Sequence, residues 1–179
     1  AALANAYLRT VTLHEALDAT ESAENLRRAK EEADKALELD PSTSEAHVVL
    51  AIRAIQWHWD WEAARDGLLR AMELNPSDAL AHGYYAVYLA YREHRLEEAR
   101  RVARSARELD PFDPFITSYW IWNLWASGDY PLALEEARKA AEVWPEKPFT
   151  HYWTGLGLMW TGREGEARAV LKELKERSE

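Results

Sequence analysis

At 179 residues, 47% of them apolar and 30% charged, the chain has the length of about one domain and a composition that excludes disorder. Its 31 acidic and 22 basic residues leave a net charge of −9, which argues against nucleic-acid or anionic-membrane binding, since both need a concentrated positive field. Cysteine is absent, so disulfides, thiolate metal sites and cysteine nucleophiles are excluded, and the longest uncharged stretches (114–128 and 148–162) fall short of the roughly 18 residues that a spanning helix needs. No signal peptide and no initiator Met opens the sequence, which reads as a segment of something longer or a processed product.

The predicted elements follow a repeat. Residues 1–41 form an atypical N-terminal hairpin, with a polar turn around Asp18 to Ser22 and a helix carrying Ala29, Ala33, Ala36 and Leu39 ahead of Pro41. Segment 42–76 places Ala64, Leu68, Ala71 and Leu74 ahead of Pro76; segment 77–111 places Ala99, Ala103, Ala106 and Leu109 ahead of Pro111. Segment 112–145 does the same with Ala133, Ala137, Ala140 and Val143 before Pro145, and 146–179 starts a further copy with Ala167, Leu171 and Leu174. The prolines are 35, 35 and 34 residues apart. Each set of four reads as one stripe of an α-helix. Alanine there admits a close neighbour, and proline ends the helix by denying its preceding residue the α conformation. A second apolar segment of about 13 residues lies between Pro76 and Ala99 and between Pro111 and Ala133, enough for a helix of three to four turns. Gly128 and Gly162 close two such segments. The hairpins before Pro76 and Pro111 each carry one extra residue in the turn between their helices. Such hairpins cannot bury their apolar faces alone and must stack.

This period and pattern resemble the tetratricopeptide repeat. The copies 114–145 and 148–179 carry it best, with Trp120, Ile121, Leu124, Gly128, Tyr130, Ala133, Ala137, Ala140 and Pro145, then Gly155, Leu158, Gly162 and Ala167. The resemblance implies an all-α, right-handed superhelical solenoid of about five helix-turn-helix hairpins. The segment 59–64 (TrpAspTrpGluAlaAla), LeuAsnPro and the following aromatic run resemble a narrower branch, the bacterial repeat region joined to winged-helix regulators or class III adenylate cyclases. That implies a regulatory part of a larger signalling protein.

Catalysis finds no foothold: the sequence has no phosphate-binding Gly loop, nucleophile elbow or His-Glu-x-x-His, so we expect no enzyme, cofactor or metal. His58, Asp60 and Glu62 are the best metal-like cluster, but Asp60 reads more simply as a helix cap. His47, His82 and His151 recur six residues after successive prolines, with Thr117 in the same place, as a repeated scaffold position or a conceivable ladder. The arginines from Arg92 to Arg107 alternate with carboxylates and read as a solvated, ion-paired face.

The first helices of the hairpins line the concave face of such solenoids. Their expected exposed stripe lies 4, 7, 11, 14 and 15 residues after each proline, and is almost uncharged. Tyr91, Phe115, Trp122, Trp125, Phe149, Tyr152, Met159 and Trp160 are the candidate partner-binding residues on it. They predict an apolar trough for a peptide or helix with apolar or aromatic anchors. Two alternatives stay open: self-association, as a homodimer, through the same trough, and an aromatic cage for a small cation. The Lys and Arg side chains that grip a terminal carboxylate are missing from this face. Compartment and partner identity are not encoded in any motif.

Overall fold

A computed structural model describes residues 19–55 and 59–177. These residues contain nine α-helices and no strand. They are α1 (Ala19–Leu39), α2 (Ser44–Arg53), α3 (Trp61–Leu74), α4 (Ala79–Tyr91) and α5 (Leu96–Leu109), then α6 (Pro114–Ala126), α7 (Tyr130–Val143), α8 (Pro148–Trp160) and α9 (Glu164–Arg177). The first helix expected within 1–41 lies outside the described residues.

Every helix packs on the next in sequence. In addition α2 packs on α4, α4 on α6 and α6 on α8, while α3, α5, α7 and α9 make no such contacts with one another. The first helices of the hairpins therefore form one continuous inner row, and the second helices an outer row laid against it. This is a helical repeat solenoid, as the repeat implies.

The outer helices bury alanine. Ala29, Ala33, Ala64, Leu68, Ala71, Ala99, Ala103 and Ala106 are sealed from solvent, as are Ala133, Ala137 and Ala140. The fourth position of the expected stripe behaves otherwise: Leu39, Leu109 and Val143 are exposed. Helical geometry gives the reason. Steps of four and seven residues stay within about 40° of the starting direction, but a step of ten drifts about 80° away, off the contact line.

Proline stops work as the sequence implies. Asn75, Asp110 and Trp144, each just before a proline, sit at φ −136°, −137° and −129° with positive ψ, outside the helical region. The side chains of Asp40, Asn75 and Asp110 then accept the N–H two residues on, from Ser42, Ser77 and Phe112 at 2.9, 3.1 and 3.2 Å. Asp78 and Asp113 cap α4 and α6 by accepting two backbone N–H groups each.

The recurrent histidines belong to this loop. In each, Nε2–H donates to the carbonyl of the proline six residues earlier: His47 to Pro41 at 3.0 Å, His82 to Pro76 at 3.0 Å and His151 to Pro145 at 2.9 Å. They tie each loop to its own helix and do not form a ladder. Where Thr117 replaces histidine, Arg107 donates to the Pro111 carbonyl instead.

The four turns joining first and second helices share one feature. Trp59, His94, Gly128 and Gly162 all lie at positive φ, of 52°, 55°, 81° and 76°. All four close the preceding helix with a long backbone bond. Asp129 N–H reaches Leu124 and Arg163 N–H reaches Leu158 across five residues. Asp60 N–H reaches Ala54 and Arg95 N–H reaches Leu89 across six, which is where the extra residue of those two turns is accommodated.

Candidate functional site

The expected stripe divides along the inner row. In and just after α2, and in α4, it is mostly core: Val48, Ile52, Ile55, Leu80 and Ala90 are buried, and a Cβ on Gly83 would crowd Tyr119 and Ile116 at 3.2 and 3.3 Å. Gln56 lies outside the described residues. In α6 and α8 the stripe opens, and Tyr152, Met159 and Trp160 are exposed while Trp122 and Trp125 are half-buried.

Phe115 and Phe149 are not groove residues. Both are buried, in the first turns of α6 and α8. Phe149 packs 6.2 Å from the Trp144 ring, in a core that also holds Trp120 and Trp153. At this end of the hairpin an inner helix starts beside the end of the outer helix before it, so an offset of four residues faces inward.

Trp160 is the hub of the C-terminal cluster. Its ring stacks on Tyr130 at 5.1 Å and 20°, and meets the edge of Trp125 at 6.2 Å. Trp125 continues to Trp153 at 6.4 Å, and Trp153 to Tyr152 at 5.2 Å. The Trp153 indole N–H donates to Ser118 Oγ at 3.0 Å, which pins α8 to α6 under the exposed rings. The indole N–H of Trp125 is buried and has no acceptor among the described residues.

A second cluster lies where the sequence reading marked only Tyr91. Tyr91 stacks on Trp61 at 5.4 Å and 20°, Trp61 meets Trp59 edge-on at 6.1 Å, and Tyr88 lies 6.4 Å from Trp61. Trp61, Trp59 and Tyr130 were missed because they sit on outer helices or in turns. The signal was present in the numbering: Trp61 and Tyr130 stand fifteen residues before Pro76 and Pro145, and Tyr91 and Trp160 fifteen residues after them. Leu96 and Ala126 hold the same places about Pro111.

Charge is arranged around these rings and not beneath them. Asp60 caps α3, accepting Ala63 N–H at 3.0 Å, and His58 of the metal-like cluster lies outside the described residues. Glu93 accepts the Tyr88 hydroxyl at 2.8 Å, and burial together with that carboxylate pushes the phenol pKa upward. Arg100 bridges to Asp129 at 2.7 Å, joining α5 to the cap of α7, and the Arg104 guanidinium lies 5.9 Å above Trp120. Arg95, Arg100, Arg104 and Arg107 of the arginine-rich stretch are thus held by internal contacts, while Arg92 and Arg101 are exposed to solvent.

Set beside known proteins, the tetratricopeptide repeat family model matches residues 120–179. PilW, a widely conserved type IV pilus biogenesis factor, superposes with a TM-score of 0.73 at 20% identity, over 98% of this chain and 77% of that one. PilF of Pseudomonas aeruginosa gives 0.69 at 21% identity, over 98% and 77%. MamA of Desulfovibrio magneticus RS-1 gives 0.66 at 14% identity, over 99% and 96%. No curated protein matches by sequence. These likenesses establish the fold as a solenoid of tetratricopeptide-type hairpins. No described helix is long and apolar enough to cross a membrane.

Proposed function

We propose that this chain is a non-catalytic interaction scaffold that binds a partner protein segment through apolar or aromatic anchors. The observation that carries this reading is the exposure of Tyr152, Met159 and Trp160 on α8, with the Trp160 ring held by Tyr130 and the half-buried Trp125 and the Tyr152 ring held by Trp153. Large rings held by their neighbours lose little freedom when a partner covers them, which is why Trp and Tyr dominate binding energy at interfaces. The repeat fold favours the same reading, because stacked hairpins present an extended surface with no enclosed reaction chamber. The resemblance of segment 59–64 and its surroundings to repeat regions of bacterial regulators favours a role inside a larger signalling protein.

The test is panning of a phage-displayed library of random dodecamers on the immobilised chain. A synthetic copy of the strongest peptide is then titrated against wild type and Tyr152→Ala/Trp160→Ala. Because Trp160 also stacks on Tyr130 and meets Trp125, circular dichroism first checks that the variant keeps its helical signal. Affinity at least tenfold weaker for the variant supports the reading. An unchanged affinity, or no enrichment at all, refutes it.

A further inference from the structure

Two aromatic stacks of the same geometry occupy one edge of the solenoid. Trp61 on Tyr91 and Tyr130 on Trp160 both close at 20° between ring planes, with centroids 5.4 and 5.1 Å apart. Each joins the start of an outer helix to the end of the next inner helix. Because α4, α6 and α8 pack in series at the usual 8–10 Å between neighbouring axes, the stacks stand about 16–20 Å apart. Leu96 and Ala126 hold the equivalent places about Pro111 between them, beside the exposed Arg92, Glu93, His94 and Arg95.

Three features separate this strip from ordinary surface. Trp59, Tyr91 and Trp160 expose 65%, 55% and 54% of their area although each is already in ring contact. Trp59 also holds a left-handed backbone (φ 52°) at the position that Gly128 and Gly162 fill in later hairpins. A bulky residue resists that conformation, so the ring is displayed against a local backbone preference. Finally, the carboxylates of Asp60, Glu62 and Glu93 flank the stacked rings in sequence and none is in an ion pair among the described residues, whereas of the cations there Arg65 is held by Asp66 and Arg95 by Glu98, which leaves Arg92.

From these we infer that the turn edge, from Trp59 to Trp160, is a docking strip for an extended, cationic segment of a partner protein carrying two aromatic residues five or six positions apart. This rests on the scaffold reading of Trp160 and extends it across two hairpins. The spacing follows from an extended chain advancing about 3.3 Å per residue over the gap between stacks. The cationic character follows from the three unpaired carboxylates, which outnumber Arg92 beside the exposed rings, where a Lys or Arg gains both ionic and cation–π attraction.

The dodecamer panning decides this through sequence and through a separate variant. Enriched peptides should carry two aromatic residues five or six apart and a Lys or Arg near one of them. The strongest should bind Tyr91→Ala at least tenfold more weakly than wild type, and bind wild type more weakly as NaCl rises. Trp59→Gly should weaken it as well while leaving the thermal midpoint unchanged or higher, which separates lost contact from lost folding. A peptide that loses affinity for Tyr152→Ala/Trp160→Ala but not for Tyr91→Ala overturns the strip and leaves the scaffold reading standing. A peptide indifferent to all of these variants overturns both.

Discussion

Tyr130 lies across Trp160 with ring planes 20° apart and centroids separated by 5.1 Å, although one residue opens an outer helix and the other closes an inner helix of the following hairpin. A stack of this kind is worth about 0.5–1.5 kcal/mol beyond its buried area. It joins two hairpins although the Trp160 ring still exposes 54% of its area. Packing between repeats and the display of exposed rings thus depend on the same side chains.

The four positive-φ turns predict opposite effects from exchanging glycine and side chain. Gly128→Ala adds a Cβ that meets nothing within 4 Å, so its effect comes from the backbone alone, a loss of about 1–2 kcal/mol. His94→Gly relieves the same strain and should raise stability by about 0.5–1 kcal/mol, once the greater freedom of unfolded glycine is set against it. Thermal melts should place the two variants on either side of wild type, separated by several degrees.

Close packing between α7 and α8 predicts a sharper loss. A Cβ on Gly157 would lie 2.9 Å from Leu134 Cβ and 3.0 Å from its Cα, so backbone must move. Gly157→Ala should cost about 1–3 kcal/mol by overpacking. Gly165→Ala is the control: it meets nothing within 4 Å and gains helix propensity, so it should stabilise by about 0.5–1 kcal/mol. Chemical denaturation of both reads the difference.

Much of this fold is legible in the chain because the same residue types recur at fixed distances from proline. The alanine contacts, the helix stops and the Asp60 cap can all be read that way. The exposed Leu39, Leu109 and Val143 cannot, because a stripe read from spacing alone ignores the rotation that accumulates over ten residues. The turns at Trp59 and His94 carry no glycine to announce their left-handed backbone. The exposure of Tyr91, Tyr152, Met159 and Trp160 is legible from the inner-helix stripe. Trp61 and Tyr130 are not, since they open outer helices and join Tyr91 and Trp160 only when two hairpins meet. Phe115 and Phe149 share the stripe's spacing but lie at the helix starts, where the preceding hairpin covers them.

The histidine contacts predict a single tautomer at three sites. His47, His82 and His151 each need a proton on Nε2 to donate to a proline carbonyl, so long-range nitrogen–proton spectra at neutral pH should show the Nε2–H form at all three. His82→Ala removes one such bond and should cost about 0.5–1.5 kcal/mol.

Acid acts on the first described helix. Hydrogen bonds from Arg27 and Arg28 to Glu24 hold its carboxyl at about 2, well under the ordinary 4.5. A carboxyl with a lowered folded pKa stabilises the fold above its unfolded pKa and loses that contribution as pH falls through the folded one. The difference in thermal midpoint between wild type and Glu24→Gln should therefore be full above about pH 5 and shrink to nothing by about pH 2.

The most direct measurement is a nitrogen–proton spectrum of the nine tryptophan indoles, recorded during titration with the peptide selected by panning. The account predicts that the Trp160 and Trp125 indole signals move as the peptide saturates, joined by Trp59 and Trp61 if the strip is engaged along its length. Trp120 and Trp144, which belong to the buried packing between hairpins, should stay in place. Movement confined to Trp120 and Trp144, or nine unmoved signals at saturation, would contradict an aromatic binding face on this edge of the solenoid.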